Sequence, residues 1–526
     1  MSAANPSDHR LDHVVVVMFE NRSFDNLLGY LFKAGNTPLY EGLQNPELSN
    51  PIPAYVAGAS SSRLPVHPAI GMAAPYPDPG EEYPHVNTQL FGTVDPERNA
   101  FSKIRDMQPP FNAPPAGCPT SMSGFVTDYV NQFKAEMDRL PSSVEYSQIM
   151  SCYTPDQLPV LSGLALGFTF FDHWFCEVPS QTYCNRSFFH AATSSGFVLN
   201  SNPPGKFALR NDARTVFNQL EDAGKTWAVY IDPLQILPAT GLIHASNLWP
   251  YFADHFRTIY DFYFEAERGI LPNYSFIEPN MFHPHTDMHP HSGARFAEGL
   301  HVPPPDTIIG GERLLARIYN SIRHPTSAEG SNWENTALLV TFDEHGGTFD
   351  HVPPPPAVPP DSSVGEEGFQ FDRLGVRIPT VLVSAWAEGG KVVVDSFRST
   401  SLVRTLRDWW TLGSSLTRRD ADAPTLASLL TRENPRDPKD WPDLQPRTPE
   451  PLERLGEDFL REWEELHPHL ERLERDLLGD ALAHEARVNR TTPAADSETA
   501  SHREAHEHLR RIRDKMFRGI ATGRTQ

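Results

Sequence analysis

Two apolar runs of this chain, over 13–19 and 336–342, each end in a pair of oxygen-bearing side chains. These side chains are Glu20, Asn21, Asp343 and Glu344. Successive β-branched and apolar residues predict strands that are covered on both faces of a sheet. Open α/β sheets bind ligands at the carboxyl ends of such strands. We therefore expect the four side chains to share one site. The alternative is that Asn21 or Ser23 caps a helix that begins at Phe24.

Strand-like and helix-like segments alternate along the chain, which predicts an α/β fold with a mainly parallel sheet sandwiched by helices. Residues 1–433 are expected to form one catalytic domain, with the proline-rich segment 45–119 as a long loop insertion. Charged helical patterns then predict a peripheral, solvated helical extension over 434–526.

The net charge of −22 argues against a nucleic-acid partner, whose phosphates would be repelled. It leaves room for a metal-dependent phosphoester site, because a cation supplies the local positive charge. The four cysteines lack CxxC spacing, which argues against a zinc site of that type and leaves disulfides and free thiols as alternatives. We see no signal peptide and no membrane-spanning run, so we expect a cytoplasmic protein, with secretion as the alternative. No protein partner is predicted.

A polar turn that opens into an apolar helix at Thr182 suits a nucleophile. The hydroxyl of Thr182 would lie near unpaired backbone N–H groups, which favour an anionic phosphate. Arg186, one helical turn later, could bind phosphate oxygens with both arms of its guanidinium. The alternative is that Thr182 is an ordinary helix cap.

Five oxygen donors could hold one divalent cation, and they are Glu20, Asn21, Thr182, Asp343 and Glu344. Oxygen-only ligation suits Mg²⁺, Ca²⁺ or Mn²⁺. Histidines in surrounding loops, among them His85 and those of the segment 283–291, could move protons. The hypothesis from the residues alone is metal-assisted phosphoester cleavage through a phosphothreonine intermediate.

Several of these motifs also resemble a known family. They are Phe19–Asp25, Thr182–Arg186, Ser275–Pro279, Asp343–Gly347 and Asp350–Pro354. Together they are similar to the bacterial phospholipase C and acid phosphatase family, which includes plant non-specific phospholipases C. The chain departs from the family at Cys184, where many relatives have proline, and at Arg398–Ser401, where the common element is Asp-His-Thr-Ser.

The resemblance implies an alkaline-phosphatase-like core with one divalent metal, Ca²⁺ or Mg²⁺ in the first place and Mn²⁺, Zn²⁺ or Fe²⁺ as alternatives. It implies the five metal ligands named above, with Thr182 as both ligand and nucleophile. It further implies contacts to the substrate phosphate from Asn185 and Arg186. His85 and His289 would lie over the phosphate, and His345 and His351 are secondary catalytic candidates.

The expected function is hydrolysis of a glycerophospholipid to diacylglycerol and a phosphorylated head group, with transient contact to a membrane surface. An acid phosphatase acting on small phosphomonoesters is the first alternative. A non-catalytic phosphate-binding protein on the same fold is the second.

Overall fold

The computed structural model describes residues 10–448 with short gaps, residues 472–489, and positions 508, 511 and 512. The gaps are residues 34, 36–38, 57–60, 73–74, 116, 202, 204, 234, 236, 282–284 and 291–306. Two histidines of the predicted histidine-rich loop, His283 and His291, therefore lie outside the described residues.

The strands, in chain order, are β1 (His13–Phe19), β2 (Ser49–Pro51), β3 (Arg63–Pro65), β4 (His67–Pro68), β5 (Ser151–Cys152), β6 (Thr169–Phe171), β7 (Trp174–Phe175), β8 (Trp227–Ile231), β9 (Phe256–Thr258), β10 (Tyr274–Glu278), β11 (Thr336–Phe342), β12 (Thr380–Val383), β13 (Lys391–Val393) and β14 (Phe397–Arg398). Eight of them form the central sheet, in the order β13-β6-β12-β11-β1-β10-β8-β9. The six remaining strands pair in short two-stranded sheets.

Strand β1 lies inside this sheet, parallel to β10 on one side and to β11 on the other. Its valines are buried, as expected for a strand covered on both faces. The register places Phe19 opposite Phe342, so Glu20 and Asp343 leave the sheet side by side. The predicted α/β fold with a mainly parallel sheet is confirmed. One strand departs from it, because β12 runs antiparallel to both β11 and β6.

The described α-helices are α1 (Phe24–Leu28), α2 (Tyr83–Phe91), α3 (Phe125–Met137), α4 (Ser143–Ser147), α5 (Pro159–Gly167), α6 (Thr182–Ala191), α7 (Lys206–Arg210), α8 (Val216–Asp222), α9 (Ala239–Ile243), α10 (Ala245–Leu248), α11 (Phe252–His255), α12 (Ile259–Arg268), α13 (Thr307–Arg323), α14 (Thr400–Trp410), α15 (Arg418–Asp422) and α16 (Arg472–Asn489). Helix α2 was not predicted, because its segment is rich in proline. Pro84 is tolerated there since it stands in the first turn, where the backbone N–H groups have no intrahelical acceptor.

The described part of the C-terminal extension is not peripheral, contrary to the prediction. Trp441 packs edge-on against Phe168 at the end of α5. Helix α16 buries Leu477, Leu478 and Leu482 in the main hydrophobic core. The prediction failed because it relied on the average hydrophobicity of the segment. Many charged residues lower that average and hide one narrow apolar stripe along the helix.

All four cysteines lie in the described part of the chain and are free thiols. Cys118 is exposed, and Cys152, Cys176 and Cys184 are buried. Among the helices that the structure describes, none combines the length and the apolar character that crossing a membrane requires.

Candidate active site

The acidic ends of β1 and β11 meet through backbone hydrogen bonds. The N–H of Asn21 donates to Asp343 Oδ1 at 3.0 Å, and the N–H of Glu344 donates to the same oxygen at 2.7 Å. Ser23, not Asn21, caps helix α1, since its side chain accepts from the N–H of Asn26. The amide side chain of Asn21 is therefore available to the site.

Two glycines allow the chain to turn tightly after Glu344. Gly346 has a φ of +59°, and a Cβ atom there would lie 2.2 Å from the carbonyl oxygen of Asn21. Gly347 has a φ of +64°, and its Cβ would lie 2.5 Å from the carbonyl oxygen of Gly80. Only glycine adopts these conformations without strain and leaves this space free. The turn thus presses the two strand ends and the 78–82 segment together.

Thr182 is the first residue of α6, and its side chain faces the strand ends. Its Oγ1 lies 3.3 Å from Glu20 Oε2 and 3.4 Å from Asn21 Oδ1. The hydroxyl has a single proton and can donate to only one of these oxygens at a time. Three oxygen atoms therefore converge on one point beside the helix N-terminus, where the backbone favours negative charge.

Asn185 holds the turn that precedes Thr182. Its Oδ1 accepts from the N–H of Val178 at 2.9 Å, and its Nδ2 donates to the carbonyl oxygens of Val178 and Ser180. Because these backbone contacts use the donors and the acceptor of its amide, Asn185 positions the turn. The predicted contact of Asn185 to the substrate phosphate is corrected accordingly.

Arg186 is fully buried and lies among the acidic groups. Its guanidinium donates to Glu20 Oε1, and its Nε lies 3.6 Å from Asp343 Oδ2. Although burial alone disfavours the charge, Glu20 and Asp343 raise the pKa of Arg186. Its η1 nitrogen has no hydrogen-bond partner within the described residues. Arg186 thus pairs with Glu20 and Asp343. Its predicted contact to the substrate phosphate would have to come from the η1 nitrogen, which these acids leave unbonded.

Burial of the acids is costly in the absence of a cation. Desolvation raises the pKa of Glu20 well above its ordinary value, and Arg186 opposes this only in part. The pKa of Glu344 is also raised well above its ordinary value, by burial first and then by Glu81 and Asp343. These shifts are typical of carboxylates gathered at a functional site.

The donors fit a divalent metal. Asp343 Oδ2 and Glu344 Oε1 are buried oxygens without a hydrogen-bond partner within the described residues. An unpartnered buried carboxylate oxygen is expensive unless a cation binds it. With Glu20, Asn21 and Thr182 beside them, these atoms supply the oxygen-only set that hard divalent cations prefer.

His289 is the predicted histidine that the structure brings to Asn21 and Glu81. Its Nε2 lies 2.8 Å from Asn21 Nδ2 and 4.0 Å from Glu81 Oε2. Burial alone lowers the pKa of a histidine, but Asp78, Glu81 and Asp287 overcome this and raise the pKa of His289.

Sequence reasoning missed Glu81, Asp78 and Gln181. Glu81 accepts from Asn21 Nδ2 and, at 3.2 Å, from Gln181 Nε2, so it lies inside the site. For Asp78 and Glu81 the one signal was the long proline-rich segment that contains them, because so long a loop is unfavourable unless it covers another part of the protein. No signal pointed to Gln181.

His85 and His345 belong to a buried network behind the site. His85 Nδ1 lies 2.8 Å from Asp128 Oδ1, and Gln89 Nε2 donates to the other oxygen of Asp128. His345 Nε2 donates at 2.7 Å to Gln89 Oε1. Burial lowers the pKa of His345 to about 3, so its ring is neutral and unsuited to donate a proton. His85 lies on helix α2, not in a loop as expected.

His351 lies in a separate ion-pair cluster. Its Nδ1 is 2.6 Å from Asp25 Oδ2, and Arg377 binds Asp25, Asp350 and Asp172. Its ring contacts in the structure are to this cluster, while those of His289 are to the Thr182 group. This arrangement does not support the predicted catalytic role of His351.

The chain is similar in sequence to known proteins over most of its length. A family model described as the Phosphoesterase family matches residues 11–413. Non-specific phospholipase C1 of Arabidopsis thaliana is 31% identical over 487 residues, which cover 89% of this chain and 80% of the relative. Phospholipase C B of Mycobacterium tuberculosis is 26% identical over 432 residues, with 76% and 73% covered.

One solved structure, a protein in the alkaline phosphatase superfamily from Vibrio parahaemolyticus, matches with a TM-score of 0.31 and 10% sequence identity. The match covers 65% of this chain and 84% of that one. Assignment to a family rests on the sequence matches and draws nothing from this structural likeness.

Proposed function

The chain belongs to the Phosphoesterase family and is a phosphoric ester hydrolase, and from this premise we propose that it is a metal-dependent phospholipase of the C type. It would hydrolyse a glycerophospholipid to diacylglycerol and a phosphorylated head group. The observation that carries the proposal is the convergence of Thr182 Oγ1 with Glu20 Oε2 and Asn21 Oδ1 at 3.3 and 3.4 Å.

Thr182 is the proposed nucleophile. Glu20 Oε2 is close enough to accept its hydroxyl proton, and Oγ1 would then attack phosphorus to form phosphothreonine. The positive end of the α6 dipole, at Thr182, would stabilise the charge of the phosphoryl oxygens. Diacylglycerol leaves with its oxygen protonated.

A divalent cation held by Glu20, Asn21, Thr182, Asp343 and Glu344 would lower the pKa of the threonine hydroxyl and offset phosphate charge. Arg186 orients the carboxylates through its contacts with Glu20 and Asp343. The N–H of Gly346 donates to Glu344 Oε2 at 2.7 Å and so restrains the rotation of Glu344.

His289 is the proposed proton carrier. Its raised pKa makes the protonated ring available to the leaving oxygen. The neutral ring left behind can then take a proton from the water that attacks phosphothreonine. Glu20 returns its proton to Thr182 Oγ1 as the phosphorylated head group is released. Microscopic reversibility allows one residue to serve in both halves of such a reaction.

The choice of a phospholipid substrate is supported by the relatives, which are named phospholipases C and of which this chain covers most of the length. To test it, initial rates are measured on phosphatidylcholine in detergent micelles and on soluble 4-nitrophenyl phosphate. Faster turnover of the lipid supports the proposal. Turnover of the monoester alone would make the protein an acid phosphatase, and turnover of neither would overturn the enzymatic proposal.

The metal requirement is tested in the same assay. Treatment with a chelator should abolish hydrolysis, and added divalent cation should restore it. Asp343→Asn should retain less metal through purification than the unaltered chain. Full activity after the metal has been removed would contradict metal dependence.

A further inference from the structure

A chain of hydrogen bonds leads from the start of helix α6 to Asn21. The backbone N–H of Asn200 donates to Gln181 Oε1 at 3.0 Å, and Gln181 Nε2 donates to Glu81 Oε1 at 3.2 Å. The other carboxylate oxygen of Glu81, Oε2, accepts from Asn21 Nδ2. Glu81, Gln181 and Asn200 are buried, at 4%, 3% and 2% exposure. We call the side chains of Glu81 and Gln181 the strap.

The strap and Asn200 surround Thr182. Gln181 immediately precedes the nucleophile, and the N–H of Tyr183, which follows it, donates to Asn200 Oδ1 at 2.8 Å. Asn200 therefore holds the residues on both sides of Thr182. At the other end of the strap, Asn21 Oδ1 lies 3.4 Å from Thr182 Oγ1. The contacts thus close into a ring that includes the nucleophile.

The polarity of each bond in the strap is determined. A backbone N–H can only donate, so the side-chain oxygen of Gln181 must face Asn200 and its nitrogen must face Glu81. An ionised carboxylate can only accept, so the nitrogen of the Asn21 amide must face Glu81 as well. The oxygen of the Asn21 amide is consequently the atom that faces Thr182.

This orientation decides what the Asn21 side chain can do. Its oxygen can bind a cation and accept from the hydroxyl of Thr182, whereas its nitrogen can do neither. The two ends of an amide have nearly the same size, so hydrogen bonds and not packing select between them. The neutral ring of His289 supports the same choice, because its Nδ1 donates to a carbonyl oxygen and its Nε2 can then accept from Asn21.

We infer that Glu81 and Gln181 are positioning residues, which direct the Asn21 oxygen toward Thr182 and hold the nucleophile turn beside it. This inference rests on the proposed function and deepens it, because both residues act through Asn21 and Thr182 on the reaction assigned to that site. The alternative is that the strap only stabilises the packing of the 78–82 segment. The two cases differ in how they respond when an amide and a carboxylate are exchanged.

Glu81→Gln is the first variant of the test, because it keeps the size of the side chain. Gln181 still presents its nitrogen, so the new amide must turn its oxygen to Gln181 and its nitrogen to Asn21. The Asn21 amide is then favoured in the reverse orientation. We expect kcat on phosphatidylcholine micelles to fall by about 10–100-fold with little change in KM. The affinity of the metal-free protein for Mn²⁺, measured by electron paramagnetic resonance of the free ion, should fall as well.

Gln181→Glu should also lose activity, because it sets two carboxylates against each other. The double variant, with Glu81→Gln and Gln181→Glu together, restores every pair of donor and acceptor. The carboxylate at 181 accepts from Asn200 and from the amide at 81, whose oxygen accepts from Asn21. Its net charge equals that of the unaltered chain. We expect the double variant to exceed either single variant by at least about tenfold in kcat and to regain affinity for Mn²⁺.

Glu82→Gln is the matched control, since this neighbouring buried carboxylate accepts from the N–H of Glu81 and lies 3.9 Å from His85. It should keep both kcat and Mn²⁺ affinity, and denaturant unfolding verifies that every variant is folded. A double variant no better than the single variants, or a Glu81→Gln variant that behaves as the unaltered chain, overturns the inference. If the unaltered chain hydrolyses neither substrate, the proposed function fails, and the Mn²⁺ affinities of the four chains still test the strap.

Discussion

Gly346 lies so close to Asn21 that a Cβ atom at position 346 would stand 2.2 Å from the carbonyl oxygen and 2.5 Å from the Cβ of Asn21. Asn21 itself has a φ of +56°, in the left-handed region. The two residues follow the ends of neighbouring strands, and their close approach sets where the Asn21 amide lies relative to Thr182. The site is thus built on a backbone contact that no side chain could replace.

Gly346→Ala should damage both stability and the site. The methyl group would collide with Asn21, and the positive φ would add strain, so we expect a loss of about 2–4 kcal/mol in unfolding free energy. Weakened metal retention should accompany it. Denaturant unfolding and elemental analysis measure the two effects.

Gly224→Ala is the control for that variant, because Gly224 has a similar φ of +65° but a Cβ atom at this position would meet nothing within 4 Å. Its free energy of unfolding should fall by about 1 kcal/mol, from backbone strain alone, and the variant should keep its metal. Equal losses in the two alanine variants would show that the contact with Asn21 is unimportant.

Thr182→Ala should abolish turnover, since no other hydroxyl is placed beside Glu20 and Asn21 in the described residues. A loss of at least about 1,000-fold in kcat is expected for a missing nucleophile, or about 4 kcal/mol of transition-state stabilisation. Thr182→Ser keeps the oxygen and should retain part of the activity. Ser187→Ala, on the same helix with its hydroxyl bonded to Thr193, should behave as the unaltered protein; if Thr182→Ala also does, the covalent mechanism fails.

Arg186→Met should make the protein's stability depend strongly on divalent cations. Without its guanidinium, Glu20 and Asp343 are buried without compensation, and a loss of about 3–5 kcal/mol is expected in the metal-free protein. Added Mn²⁺ should restore the melting temperature more than it raises that of the unaltered chain. Arg419→Met removes another buried arginine, which is paired with Glu177. The stability that this variant loses should not be restored by Mn²⁺. The same response in both variants would place the cation elsewhere.

The ion pair of His351 with Asp25 should contribute to stability at low pH and lose that contribution at high pH. Burial alone would lower the pKa of His351, but Asp25 raises it above the ordinary value. The protonated ring therefore stabilises the folded state fully below the unfolded pKa of about 6.5, and the effect fades as pH rises through the raised folded pKa.

His351→Gln should accordingly cost on the order of 1 kcal/mol more at pH 5.5 than at pH 9, as measured by denaturant unfolding. His67→Gln should show a smaller dependence on pH, because the ring of His67 contacts backbone carbonyl oxygens and no carboxylate among the described residues. A cost for His351→Gln that does not change with pH would rule out the charged pair.

The strands and the nucleophile helix could be predicted because their signals are local. The valines of β1 and the apolar run of β11 indicate buried strands wherever they occur, and Thr182 starts α6 as expected. Helix α2 and the burial of α16 could not be predicted in the same way. Proline content hid the first, and only packing against the core shows which face of the second is apolar.

The sequence by itself determined that two buried strands end in oxygen donors and that a threonine begins a helix in the same chain. The tertiary structure decided which side chains meet there. It brought Glu81, Asp78 and His289 to Asn21, turned Asn185 toward its own backbone, and placed His351 on Asp25. The physical reason is that strand patterns follow from hydrophobic burial along the chain, whereas a site is made by residues far apart in sequence whose distances only the packed fold defines.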